Sequence, residues 1–124
     1  MPDAIHDKKD QLQKIQPHII QGETLYAVYD MKGGGTGFVG ITDLRLIFMD
    51  QAFVKKSKSM VSLPYTRITA VASEDSGKII FGTSKLIVVA GARTWMFEFR
   101  SNDKAHYAYK LIMRNLLQTE VKGM

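Results

Sequence analysis

At 124 residues, with 45% hydrophobic and 23% charged positions, the chain has the size and composition of one folded domain, able to bury roughly two-thirds of its unfolded surface without a metal or crosslink. It has no cysteine, which excludes a disulfide scaffold, a thiol nucleophile and a thiolate metal site and fits a reducing compartment. Seventeen Lys and Arg against twelve Asp and Glu give a net charge of +5, which favours anionic partners, but the basic residues fall singly between apolar segments, so nucleic acid is disfavoured.

The N-terminal stretch MPDAIHDKKDQLQKIQ carries charges where a signal peptide needs an apolar core, and no apolar run approaches the length of a membrane span. A soluble, cytoplasmic protein is expected. Residues 3–15 predict a helix, with Asp3 as its N-cap, Ile5, Leu12 and Ile15 on one stripe, and Pro17 ending it by disfavouring helix at Gln16. So thin a stripe, lined by Asp7, Lys8, Lys9, Asp10 and Lys14, predicts an accessory helix that lies on the domain or pairs with another chain rather than sinking into a core. The organisation is therefore read as accessory helix and linker over 1–21, the domain over 22–118 and a tail over 119–124.

Beyond the Gln21-Gly22-Glu23 turn, seven short strands are predicted at 24–30, 37–42, 44–50, 58–63, 68–73, 85–90 and 94–100. Phe38 and Gly40 alternate with Val39 and Ile41, and Leu44, Leu46 and Phe48 alternate with Arg45, Ile47 and Met49. In the last strand Trp95, Phe97 and Phe99 share one face, which is assigned to the core. From Ser101 the period changes: Ala105, Ala108, Tyr109, Ile112 and Leu116 recur at helical spacing, and Ser101 or Asn102 can cap the helix. Seven short antiparallel strands curl, and the amphipathic helix would cover the open end of the resulting barrel or sandwich.

This order is similar to the pleckstrin-homology (PH) superfold, and the local sequence resembles the bacterial PH-like domain families. Thr42, Arg45, Leu46, Ile47, Phe48 and Asp50 match their Thr-x-x-Arg turn and the apolar strand that follows, and Leu63-Pro64-Tyr65 with Ile68 resembles their next block. The resemblance implies a mainly β fold: a PH-like seven-stranded antiparallel barrel or sandwich capped by a C-terminal α-helix. Leu44 departs from the pattern; a two-residue type I′ turn would need positive φ there, so a looser turn is expected. Phosphoinositide-binding PH domains use a lysine near the end of the first strand and paired basic residues on the second. Lys32 could stand for the first, but the strand at 37–42 has no Lys or Arg, so phosphoinositide specificity is not expected.

Gly35, Gly37 and Gly40 spell GxGxxG, but a strand follows where a dinucleotide fingerprint needs a helix, so the glycines are read as a flexible hairpin loop. His6, His18 and His106 lack the short spacings of a zinc site, and no nucleophile elbow, HExxH, calcium loop or paired-carboxylate pattern occurs. No catalytic residue, cofactor or metal is expected. Tyr107 and Leu111 project from the capping stripe of the final helix, as receivers of Ile5, Leu12 and Ile15 or as part of a subunit interface. The expected function is a non-enzymatic binding or scaffolding module that acts by self-association or protein contact.

The alternative is peripheral attachment to an anionic membrane at the inner surface, through Phe53, Lys55, Lys56 and Lys58 in the connection after the third strand, with Lys32. On that alternative the protein sediments with vesicles containing acidic lipid and not with neutral ones, and added salt releases it. Equal sedimentation with both vesicle types removes it.

Overall fold

In the computed structural model, which describes residues 4–32, 37–50, 59–75 and 84–122, the period-two segments pair into two sheets. The first holds β1 (Ile5–His6), β2 (Leu25–Asp30), β3 (Gly37–Thr42), β4 (Arg45–Asp50) and β5 (Ser59–Pro64), in that order. The second holds β6 (Ile68–Asp75), β7 (Ser84–Ala90) and β8 (Arg93–Glu98). Neighbours are antiparallel except β1, which runs parallel to β2. The bond from the Lys32 amide to the Glu98 carbonyl, 2.8 Å, ties the end of β2 to the end of β8. Strands β2 to β8 are the seven predicted, shifted by at most two residues at their ends.

Between the sheets lies the main core. Ala27, Tyr29, Val39, Ile41, Leu46 and Leu63 meet Leu86, Val88, Phe97 and Phe99, and Ala105, Ala108, Ile112 and Leu116 of the long helix α2 (Asn102–Lys122) pack on both. Aromatic edges cross this space: Tyr29 and Phe99 have ring centroids 5.5 Å apart, as do Phe48 and Phe97. The Ser101 hydroxyl accepts the Lys104 amide and so caps α2. The helix continues to Lys122, through the stretch read from sequence as tail.

The N-terminal segment departs from expectation. Ile5 and His6 are extended, and helix α1 (Lys9–Ile15) begins only after Lys8, at φ −132° and with no side-chain cap. Asp3 lies outside the described residues. The cause is the open edge of β2, whose backbone groups need partners. The Asp7 amide donates to the Val28 carbonyl at 3.1 Å, and the Asp7 carboxylate accepts the Asp30 amide at 2.9 Å.

Nor does α1 merely lie on the surface. Leu12 is 2% exposed and Ile15 0%, in a second core with Val28, Phe38, Ile47 and Met49. The central strands alternate between two apolar sets, so the first sheet is apolar on both faces and its outer face would be wetted without the helix. Gly40 supplies the room: a Cβ there would sit 2.8 Å from Ile15 Cδ1. Gly37 is equally close-packed, against the Phe48 ring and the Met49 carbonyl, and neither glycine has positive φ. Both are strand residues chosen for close approach, not parts of a flexible loop, and Gly35 lies outside the described residues.

Replacing Ile15 by Ala is expected to cost about 2–5 kcal/mol, the range for a large aliphatic residue removed from a closed core. Urea unfolding measures it. Faster hydrogen exchange should be concentrated in α1, because the main core does not use this side chain.

Candidate functional site

The Thr-x-x-Arg turn is built around a buried carboxylate. Ile41 pairs with Leu46, leaving four residues in the turn, and no described non-glycine residue has positive φ, so Leu44 sits in the looser turn expected for it. The Thr42 hydroxyl accepts the Leu44 and Arg45 amides at 3.0 and 2.9 Å and donates to Glu23 Oε2 at 2.7 Å. Arg45 grips the same carboxylate with two bonds, Nε to Oε2 at 2.8 Å and Nη2 to Oε1 at 3.0 Å. It also reaches the His18 carbonyl and the Ser62 hydroxyl, while the Tyr65 hydroxyl donates to the Thr42 carbonyl at 2.7 Å. Burial works against charge on Glu23, yet Arg45, Thr42 and the Ile20 amide together hold its pKa below the usual carboxylate value. Burial pushes the Tyr65 phenol upward.

A second polar hub joins distant parts of the chain at the far end of β2. Asp30 accepts from Gln11 Nε2 at 2.7 Å and from Arg100 Nη2 at 2.6 Å, with Lys8 3.7 Å away. Burial opposes its ionisation, but Gln11 and Arg100 outweigh that and depress its pKa. Beside it, Asp7 pairs with Lys104 of α2 at 2.7 Å. Sequence reasoning missed both Glu23, read only as a turn residue, and Asp30. The available signals were an arginine fixed in a turn motif, which needs an anion, and an aspartate closing an apolar strand.

These hubs have their charges satisfied within the fold, and what they do is bind N-terminal segment, sheets and α2 together. His6, His18 and His106 lie on three separate elements, and no group of three or more His, Asp or Glu among the described residues could hold a metal. No helix among the described residues is long and apolar enough to cross a membrane.

Of the basic residues proposed for membrane contact, Lys32 is exposed, and Phe53, Lys55, Lys56 and Lys58 lie outside the described residues. The helix-docking set is not brought together. Leu12 and Ile15 are buried on the first sheet, Ile5 is an exposed edge residue, and Leu111 packs against the main core. The apolar sheet face competed for the stripe of α1 and won, leaving Asp7 and Lys104 as the ion pair between the N-terminal segment and α2. Tyr107 remains 43% exposed.

Among the described residues, three exposed features stand out. On α2, Leu117 (51% exposed) and Val121 (69%) share the outward side with Tyr107, Lys110 and Arg114. On the second sheet, Met96 (60%) pairs with Ile87, which pairs in turn with Ala72, an apolar row facing outward. Between the β3–β4 turn and the last turns of α2 lies an open cleft of about 270 Å3, lined by Tyr26, Asp43, Leu44, Asn115, Gln118 and Thr119.

A family model described as "Bacterial PH domain" matches residues 2–116. Among solved structures, the pleckstrin homology domain from Shewanella amazonensis SB2B is similar, with a TM-score of 0.66 and 23% identity over 90% of this chain and 99% of that one. A DUF1696 family protein with a pleckstrin-homology domain, from Shewanella loihica PV-4, gives 0.70 and 22% over 94% and 99%. At these identities the likeness is one of fold. No curated protein matches the chain.

Glu23 titrates lower in the fold than in the unfolded chain, so its stabilisation is complete above the ordinary glutamate pKa of about 4.3 and is lost as pH falls through the depressed folded value. Glu23→Ala, which leaves Arg45 with only the His18 carbonyl and the Ser62 hydroxyl, is expected to cost about 1–3 kcal/mol at neutral pH. Urea unfolding across pH should show the gap from the wild type closing in acid, where the wild-type carboxylate is itself protonated.

Proposed function

The chain belongs to the bacterial PH domain family, and from that premise we propose that it is a non-enzymatic binding module that works through protein–protein contact. The observation that carries this reading is the outward side of α2, where Tyr107, Leu117 and Val121 stay exposed although the helix is otherwise anchored in the core. Buried apolar area drives association, and apolar side chains grouped on one rigid element are a means of recruiting a partner. The interior supports the same reading, because the buried carboxylates Glu23 and Asp30 are engaged in holding the fold.

Self-association is a second mode, favoured by the Met96–Ile87–Ala72 row on the second sheet. An outward sheet face with small residues next to large ones can pack on its own copy, as stacked sheets do at about 10 Å.

Light scattering on the full chain over rising concentration, together with affinity capture from the native cell, tests both modes. A partner or oligomer lost in Leu117→Asp/Val121→Asp supports contact through α2. Loss of an oligomer in Met96→Glu supports self-association through the sheet. A strict monomer whose captured proteins are the same for wild type and both variants overturns the proposal.

A further inference from the structure

Resting on the protein-contact reading, we infer that the outward side of α2 is a docking surface for an acidic amphipathic helix of another protein. Tyr107, Lys110, Arg114, Leu117 and Val121 follow one another at alternating spacings of three and four residues, which sets them in a single line along the helix. Fourteen residues of rise make that line ~21 Å long. Apolar side chains hold its two ends and cations its middle.

The cations argue for the partner's charge. Neither Lys110 nor Arg114 makes an ion pair among the described residues. Neither has an acidic residue three or four positions away, and they stand four apart from each other, a spacing at which like charges weaken a helix. The pair therefore gains no charge pairing within α2, and an acceptor from outside would relieve its repulsion. The helix cannot roll to hide the line, because Ala105, Ala108, Ile112 and Leu116 occupy the core on its other side and the Ser101 cap and the Lys104–Asp7 pair fix its first turn.

The same charges disfavour a second copy. Arg114 is the midpoint of the line, so an antiparallel pair of α2 helices sets Arg114 against Arg114, and a parallel pair sets both cations against themselves. A membrane fits less well than a helix, since the apolar residues form a thin line flanked by His106 and Gln118 rather than a broad face. A partner helix with apolar residues at matching spacing and carboxylates at its centre satisfies both parts, with Arg114 able to take a carboxylate in two bonds.

Fluorescence anisotropy with the full chain tests this, using a labelled amphipathic peptide of about 20 residues, long enough to match the line. The peptide has leucines along one side and two glutamates at the centre, and its controls carry glutamine or lysine in place of glutamate. Saturable binding of the glutamate peptide is expected, about tenfold weaker for glutamine. Lys110→Glu/Arg114→Glu should lose the glutamate peptide and gain the lysine peptide. Both sites are exposed, and an unchanged thermal midpoint verifies the fold. Equal binding of all three peptides, or no effect of the charge reversal, overturns the inference. So does binding to phosphatidylserine vesicles that the same reversal abolishes without any peptide binding, or an oligomer lost in Leu117→Asp. That last result leaves the protein-contact proposal standing.

Discussion

The central strands of the first sheet have no wet face. In β3 every residue is buried, with Val39 and Ile41 turned to the space between the sheets and Phe38 to α1. A sheet of this kind must be covered twice, and most other features follow from that demand. The second sheet and α2 cover one side. The other side is left to seven residues of helix, too few to be stable alone in water and held by the surface they shield. What looks like an appendage in the sequence is a layer of the fold.

Two polar hubs set where those layers sit. Apolar contact is tolerant of sliding, whereas Arg45 gripping Glu23 with two bonds, with Thr42 on the same carboxylate, admits one arrangement of the α1–β2 linker against the β3–β4 turn. Asp30 does the same at the opposite end of β2, where Lys8 and Gln11 of the N-terminal segment meet Arg100 from the far end of the chain. Lys110 and Arg114 belong to neither hub, and they are the cations of the docking surface proposed on α2.

Legibility from sequence followed the range of the interaction. Trp95, Phe97 and Phe99 declare a strand because period two is written in adjacent residues, and the face they share does point to the core. The α2 stripe is as plain, and so is the turn at Leu44, where steric cost alone predicts the outcome. Strand β1 could not be read, since two residues show no period and its pairing depends on a β2 edge about twenty residues further along. Asp30 and Arg100 meet across seventy residues, and nothing local marks either as the other's partner. The misplaced home of Leu12 and Ile15 has the same origin. Their stripe was visible, but two apolar surfaces competed for it, and only packing decides between them.

Gly40 carries a consequence for the seat of α1. A Cβ at that point of β3 would press on the Cδ1 tip of Ile15, so any side chain there makes Ile15 shift and loosens the seat of the helix. The glycine thus marks the tightest point of the seam between sheet and amino-terminal helix, where a larger residue would ask Ile15 for another rotamer or the helix for a wider berth.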